Sequence, residues 1–142
     1  MRLTITRLRP SVPLPVYASD GAAGFDLAAA EDVEIPPGRI KLVGTGLVVA
    51  VPEGYFLGVF ARSSTPLKRG LAVANGVGVL DSDYRGPSDE LKIQLLNITS
   101  EPIVVKAGDR LAQGIVLQAP RVTFVEAVPA AKSRGGFGST GV

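Results

Sequence analysis

Seventeen glycines and eleven prolines in a chain of 142 residues leave little room for long helices. These breakers recur roughly every eight to twelve residues, with short β-branched runs between them. The runs are Ile40 to Val51, Tyr55 to Phe60, Leu91 to Ile98, Ile103 to Val105 and Leu111 to Leu117. Leu91-Lys92-Ile93-Gln94-Leu95 alternates apolar and polar residues, as a strand with one buried face does. Pro36-Pro37-Gly38, Pro52-Glu53-Gly54 and Ala107-Gly108-Asp109 read as turns, and Asn75-Gly76 as the seed of a tight hairpin. Ser63-Ser64-Thr65-Pro66-Leu67-Lys68-Arg69-Gly70 differs. It has a hydroxyl cap, a first-turn proline, late cations and a closing glycine, which together mark a short helix. The expectation is an all-β sandwich or barrel with one short helix, forming one domain over residues 1–131. A flexible Gly-rich C-terminal arm follows over 132–142, too poor in apolar residues to hold itself folded. A small sandwich rich in Val and Leu also leaves apolar edges that self-association would cover.

Charge and composition narrow the chemistry. Fifteen basic and thirteen acidic residues give a net charge of +2, too balanced for a dedicated nucleic-acid surface. Cysteine is absent, which removes disulfides and thiolate catalysis; histidine is absent too, and with it the commonest general base and zinc ligand. Acid–base work therefore falls to carboxylates, Lys or Tyr. No apolar run reaches membrane-spanning length, and Met1-Arg2-Leu3-Thr4 opens no signal sequence, so a cytoplasmic protein is expected. Asn97-Ile98-Thr99 matches a glycosylation sequon, which carries no weight without secretion.

Five segments are richer in chemistry than strand connections require. In Ala23-Gly24-Phe25-Asp26-Leu27 an aspartate interrupts an apolar run, where a backbone cap is the ordinary reading. Arg62-Ser63-Ser64 precedes the helix, where hydroxyls and N–H groups either cap the helix or hold an anion. Gly78-Val79-Leu80-Asp81-Ser82-Asp83-Tyr84-Arg85-Gly86 crowds two aspartates, a tyrosine and an arginine after an apolar strand. Asp81 follows that strand directly, so the strand would fix its side chain. Arg110-Leu111-Ala112-Gln113 sets a cation and an amide at a strand start, an exposed pair on the plain reading. Lys132 to Gly141 brings cations, three hydroxyls, approachable backbone and the ring of Phe137, the parts needed to close over an anionic ligand with a flat ring.

Taken in order, these segments resemble the five motifs of the trimeric dUTP pyrophosphatase (dUTPase) family, with the spacing approximately kept. The resemblance implies a jelly-roll β fold and a homotrimer with three shared active sites. It also implies hydrolysis of dUTP to dUMP and pyrophosphate, with Mg2+ on the triphosphate. By that resemblance Asp81 deprotonates the water attacking the α-phosphorus, and Tyr84 packs under the sugar and excludes a 2′-hydroxyl. Asn75 and neighbouring backbone read the uracil edge. Arg62, Ser63, Ser64 and Gln113 hold phosphates, Asp26 receives a water from the magnesium shell, and Arg110 supports the site. In the arm, Phe137 stacks on uracil, while Gly138, Ser139 and Thr140 close on the phosphates with Lys132 or Arg134 near the γ-phosphate. Three departures stand out: the inserted Pro87-Ser88-Asp89, Gly114 where a bulky residue is usual, and Lys132 where arginine is usual. Two rival readings share the fold. A dCTP deaminase would need a glutamate beside the pyrimidine, and no such motif is found. A non-catalytic nucleotide sensor is the other.

Overall fold

The structure is a computed structural model that describes residues 1–129 together with Lys132, Ser133 and Gly135. Among these the chain forms β1 (Thr4–Arg7), β2 (Phe25–Ala28), β3 (Val33–Ile35), β4 (Ile40–Gly44), β5 (Leu47–Ala50) and β6 (Tyr55–Ala61). Then come α1 (Ser64–Arg69), β7 (Leu71–Val73), β8 (Gly78–Leu80), β9 (Lys92–Asn97), β10 (Ile103–Val105) and β11 (Arg110–Gln118). The antiparallel pairs β2 with β11, β3 with β10 and β4 with β9 are nested one inside the next. The chain thus doubles back along its length, which is the winding of a jelly roll. The sheets are β2-β11-β6-β8 and β4-β9-β7, with the two-stranded pairs β1-β5 and β3-β10.

All of these strands contribute to one apolar cluster. It draws Leu27, Leu57 and Leu111 from the four-stranded sheet, Val43, Ile93 and Leu95 from the three-stranded one, and Val49, Ile35 and Val105 from the pairs. The alternation expected of β9 holds: Leu91, Ile93 and Leu95 are buried while Lys92 and Gln94 are exposed. The run from Ile40 to Val51, by contrast, is two strands in different sheets. Between them Thr45-Gly46 makes a corner, with Gly46 at φ +67° and Val12 so close that a Cβ could not fit. Thr45 Oγ1, fully buried, donates to the Leu91 carbonyl at 2.7 Å and secures the corner. Asn75-Gly76 makes a tight turn, with Gly76 at φ +72°, but it is no hairpin: β7 pairs with β9, and β8 pairs with β6.

The helix sits where expected and ends in Gly70 at φ +63°. Its expected hydroxyl cap is absent, since Ser63 makes no side-chain cap bond. Tertiary contacts hold the helix instead. Thr65 Oγ1 donates to the Leu111 carbonyl at 3.0 Å, and Arg69 grips both Asp109 oxygens at 2.7 Å. The sequon asparagine is structural. Asn97 Nδ2 donates to the Ile35 and Glu101 carbonyls, and Oδ1 accepts from the Thr99 N–H and hydroxyl, all between 2.7 and 2.8 Å. Completely buried and fully satisfied, it has no room for a glycan. Among the described residues, no helix is long and apolar enough to cross a membrane.

Two stability predictions come from these contacts. Asn97→Ala removes four hydrogen bonds of a buried carboxamide, those to the Ile35 and Glu101 carbonyls and those from the Thr99 N–H and hydroxyl, and is expected to cost on the order of 3 kcal/mol in urea unfolding at fixed protein concentration. The Arg69 guanidinium holds the Asp109 carboxyl below the usual carboxylate range, opposed by burial and helped by the Lys106 N–H. A lowered folded-state value means that this stabilisation is complete above the ordinary carboxylate range and is lost as pH falls through the lowered value. Wild type should therefore lose more stability on acidification below about pH 5 than Asp109→Asn, measured by unfolding at a series of pH values.

Candidate active site

β11 lies between β2 and β6, and this brings three of the five sequence segments together. Gln113 stands opposite Asp26 on one side and Phe60 on the other. The Asp26 carboxylate, with 11% of its side chain exposed, is held on Oδ1 by Arg62 Nε at 2.8 Å and on Oδ2 by Arg110 Nη1 at 3.0 Å. It pairs with two guanidinium groups, so the reading of Asp26 as a backbone cap gives way to an ion-pair cluster. Arg62 Nη1 also donates to the Arg110 carbonyl at 3.3 Å, and Gln113 Nε2 to the Ala61 carbonyl at 3.0 Å. Two guanidinium groups against one carboxylate leave one net positive charge, and the uncapped hydroxyl of Ser63 and that of Ser64 lie next in the chain. Cations beside hydroxyls suit an anion.

Close packing explains two glycines here. A Cβ on Gly24 would stand 2.9 Å from Gln113 Oε1. A Cβ on Gly114 would stand 2.6 Å from the Phe25 ring, so the residue after Gln113 is small because the ring occupies its place.

A second cluster forms where β8 ends. Asp81 follows Leu80 and stands exposed at the lip of a pocket of about 290 Å³, which Asn75, Gly78, Tyr84, Leu42 and Gln94 also line. The loop is drawn in by Tyr84 N–H to the Asp81 carbonyl at 3.3 Å and Arg85 N–H to the Asp83 carbonyl at 3.0 Å. Behind Asp81 opens a polar cleft lined by Glu53, Asp83, Arg85 and Arg121. An aspartate carboxylate beside a pocket with a carboxamide, an aromatic hydroxyl and open backbone can bind a small polar ring and accept a proton from water.

The two clusters do not meet within one chain. β6 runs antiparallel to β8 with Leu57 opposite Leu80, so Asp81 lies level with the start of β6, whereas Arg62 follows its last residue. At about 3.3 Å per residue, the strand separates them by roughly 20 Å. In the arm, Lys132, Ser133 and Gly135 are described and exposed, while Arg134, Phe137, Gly138, Ser139 and Thr140 lie outside the described residues. Among the described residues no three of Asp and Glu gather as a metal cluster. Neither Gln94 at the pocket nor the Arg62–Asp26–Arg110 pairing carries a local sequence signal, because both depend on strands distant in the chain.

The family model for dUTPase matches residues 11–141. A deoxyuridine 5'-triphosphate nucleotidohydrolase of Wolinella succinogenes is 46% identical over 144 residues, covering 99% of this chain and 95% of that protein. One from Mycobacterium tuberculosis is 47% identical over 148 residues, covering 98% and 94%. The crystal structure of a dUTPase from Streptococcus mutans superposes with a TM-score of 0.78 at 35% identity, covering 86% of this chain and 98% of that one.

Proposed function

The chain belongs to the dUTPase family, and from that premise we propose that it hydrolyses dUTP to dUMP and pyrophosphate by water attack at the α-phosphorus. The observation that carries the reading is the pocket that joins Asn75, Asp81 and Tyr84 at the end of β8. There the Asn75 carboxamide and adjacent backbone meet the uracil edge, and Tyr84 lies under the deoxyribose without space for a 2′-hydroxyl. The Asp81 carboxylate takes a proton from the water whose oxygen bonds to the α-phosphorus. The bond to the bridging oxygen breaks and pyrophosphate leaves. Such a transfer relies on positioning and charge neutralisation more than on unusual groups, which suits a chain without His or Cys.

The triphosphate falls to the cationic cluster: Arg62, Ser63, Ser64 and Gln113. Asp26 has one guanidinium on each oxygen, and each oxygen keeps a further lone pair. This fits acceptance of a hydrogen bond from a water on a nucleotide-borne Mg2+. When bound, the ion neutralises phosphate charge. Residues 1–131 form the catalytic domain. Of the arm, Phe137 is assigned to the uracil ring, and Arg134, Gly138, Ser139 and Thr140 to the phosphates, on their residue types and order.

Two observations support a homotrimer in which neighbouring copies complete each site. The cationic cluster and Asp81 stand too far apart in one chain to act on one nucleotide. Ile40, Leu42 and Val79 are also 55%, 58% and 62% exposed, an apolar face that association would cover. The deaminase and sensor readings have less support, because the relatives at 46% and 47% identity are named as nucleotidohydrolases.

Pyrophosphate release across dUTP, dTTP, dCTP and UTP with magnesium tests the proposal. Selective turnover of dUTP is expected; ammonia from dCTP, or tight binding without pyrophosphate, would sink it. Asp81→Asn should bind dUTP with little change while turnover falls about a thousandfold, and full turnover would remove Asp81 from the chemistry. Deleting residues 132–142 should abolish most turnover and leave the oligomer intact by light scattering, whereas undiminished activity would end the arm's assigned role.

A further inference from the structure

The loop that carries Asp81 and Tyr84 is fastened at its far end by a side chain outside the pocket. Gly86 to Asp89 form a turn closed twice. The Asp89 N–H donates to the Gly86 carbonyl at 3.1 Å, and the Gly86 N–H donates to Asp89 Oδ2 at 2.6 Å. The second bond is charge-assisted and part-buried, the stronger kind. A Cβ on Gly86 would stand 2.9 Å from the same oxygen, so only glycine lets the carboxylate come so near without a shift.

The turn is itself anchored. Glu90 Oε1 accepts the Gly46 N–H at 2.8 Å, and the Leu91 N–H donates to the Leu47 carbonyl at 2.8 Å, which ties the segment to the β4–β5 corner. At its near end the loop hangs from β8, where Leu80 pairs with Leu57. Between these posts, Asp81 to Arg85 have backbone bonds of 3.0 and 3.3 Å among themselves, the longer one joining Tyr84 to Asp81. A loop held this loosely inside takes its shape from its ends.

We infer that Asp89 is a positioning residue for this site. Its carboxylate fixes Gly86, and through Gly86 the placement of Tyr84 against the sugar and of Asp81 against the attacking water. The inference rests on the roles proposed above for those two residues.

The test compares wild type, Asp89→Ala and Asp89→Asn for kcat and KM on dUTP and on UTP, with melting temperature and oligomeric state measured alongside. Asp89→Ala should lose about tenfold in kcat/KM for dUTP and should discriminate less between dUTP and UTP, with its melting temperature within a few degrees of wild type. Asp89→Asn keeps an acceptor oxygen for the Gly86 N–H and should recover most of both. Unchanged discrimination in Asp89→Ala overturns the inference, as does equal impairment of the two variants or an Asp89→Ala protein that no longer folds. Wild type inactive on dUTP overturns the hydrolase reading together with this one. An active wild type with an equally active and selective Asp89→Ala overturns this one alone.

Discussion

The placement of β11 between β2 and β6 is the constraint on which the charged side of the site depends. Its register carries an irregularity between Arg110 and Ala112. There Leu111 and Ala112 both turn into the core while Arg110 stays outside to reach Asp26. The carbonyls at this irregularity do not go unused, since Arg62 donates to that of Arg110 and Thr65 to that of Leu111. One bulge therefore aims a cation, seats the helix and fixes where Ser63 and Ser64 stand. A slip of one residue would send Gln113 to the opposite face and push a side chain into the Phe25 ring at Gly114.

The Asp26 cluster shows why these residues stand or fall together. A carboxylate only 11% exposed needs partners, and two arginines supply them. Conversely, Arg62 and Arg110 approach the same carboxylate, and without it two guanidinium groups would face one another across a small space. The cluster is best understood as a means of presenting positive charge in a fixed direction. Its contribution to stability is modest, because Arg110 keeps 58% of its side chain in solvent.

Legibility in the sequence followed the reach of each signal. Alternation over Leu91 to Leu95 is local, and β9 appeared where it was expected; the turns at Gly38, Gly54 and Gly108 have the positive φ that their glycines suggest. Residues 40–51 read as one run, because nothing local says that Gly44 pairs with Lys92 while Leu47 pairs with Arg7. β3, β7 and β8, three residues each, exist through partners far along the chain and carry no period of their own. The same limit applied to the site. Residue types singled out Asp26, Arg62, Asp81 and Tyr84, but their division between the two ends of β6 is a property of pairing.

That division links association to chemistry. On the roles proposed for them, Asp81 and the cationic cluster must come within a few ångströms of the same nucleotide, and a seven-residue strand cannot be shortened to bring them there. Leu42 and Val79, exposed in one chain, also line the pocket that holds Asp81. On the proposed trimer, the apolar surface whose burial drives assembly is continuous with the wall of the reaction pocket. Covering it removes water from beside Asp81 and strengthens every charge interaction there. Assembly then does more than add missing residues. In the proposed trimer it also supplies the drier surroundings in which Asp81, in its proposed role and without histidine or cysteine to help, would hold and activate one water.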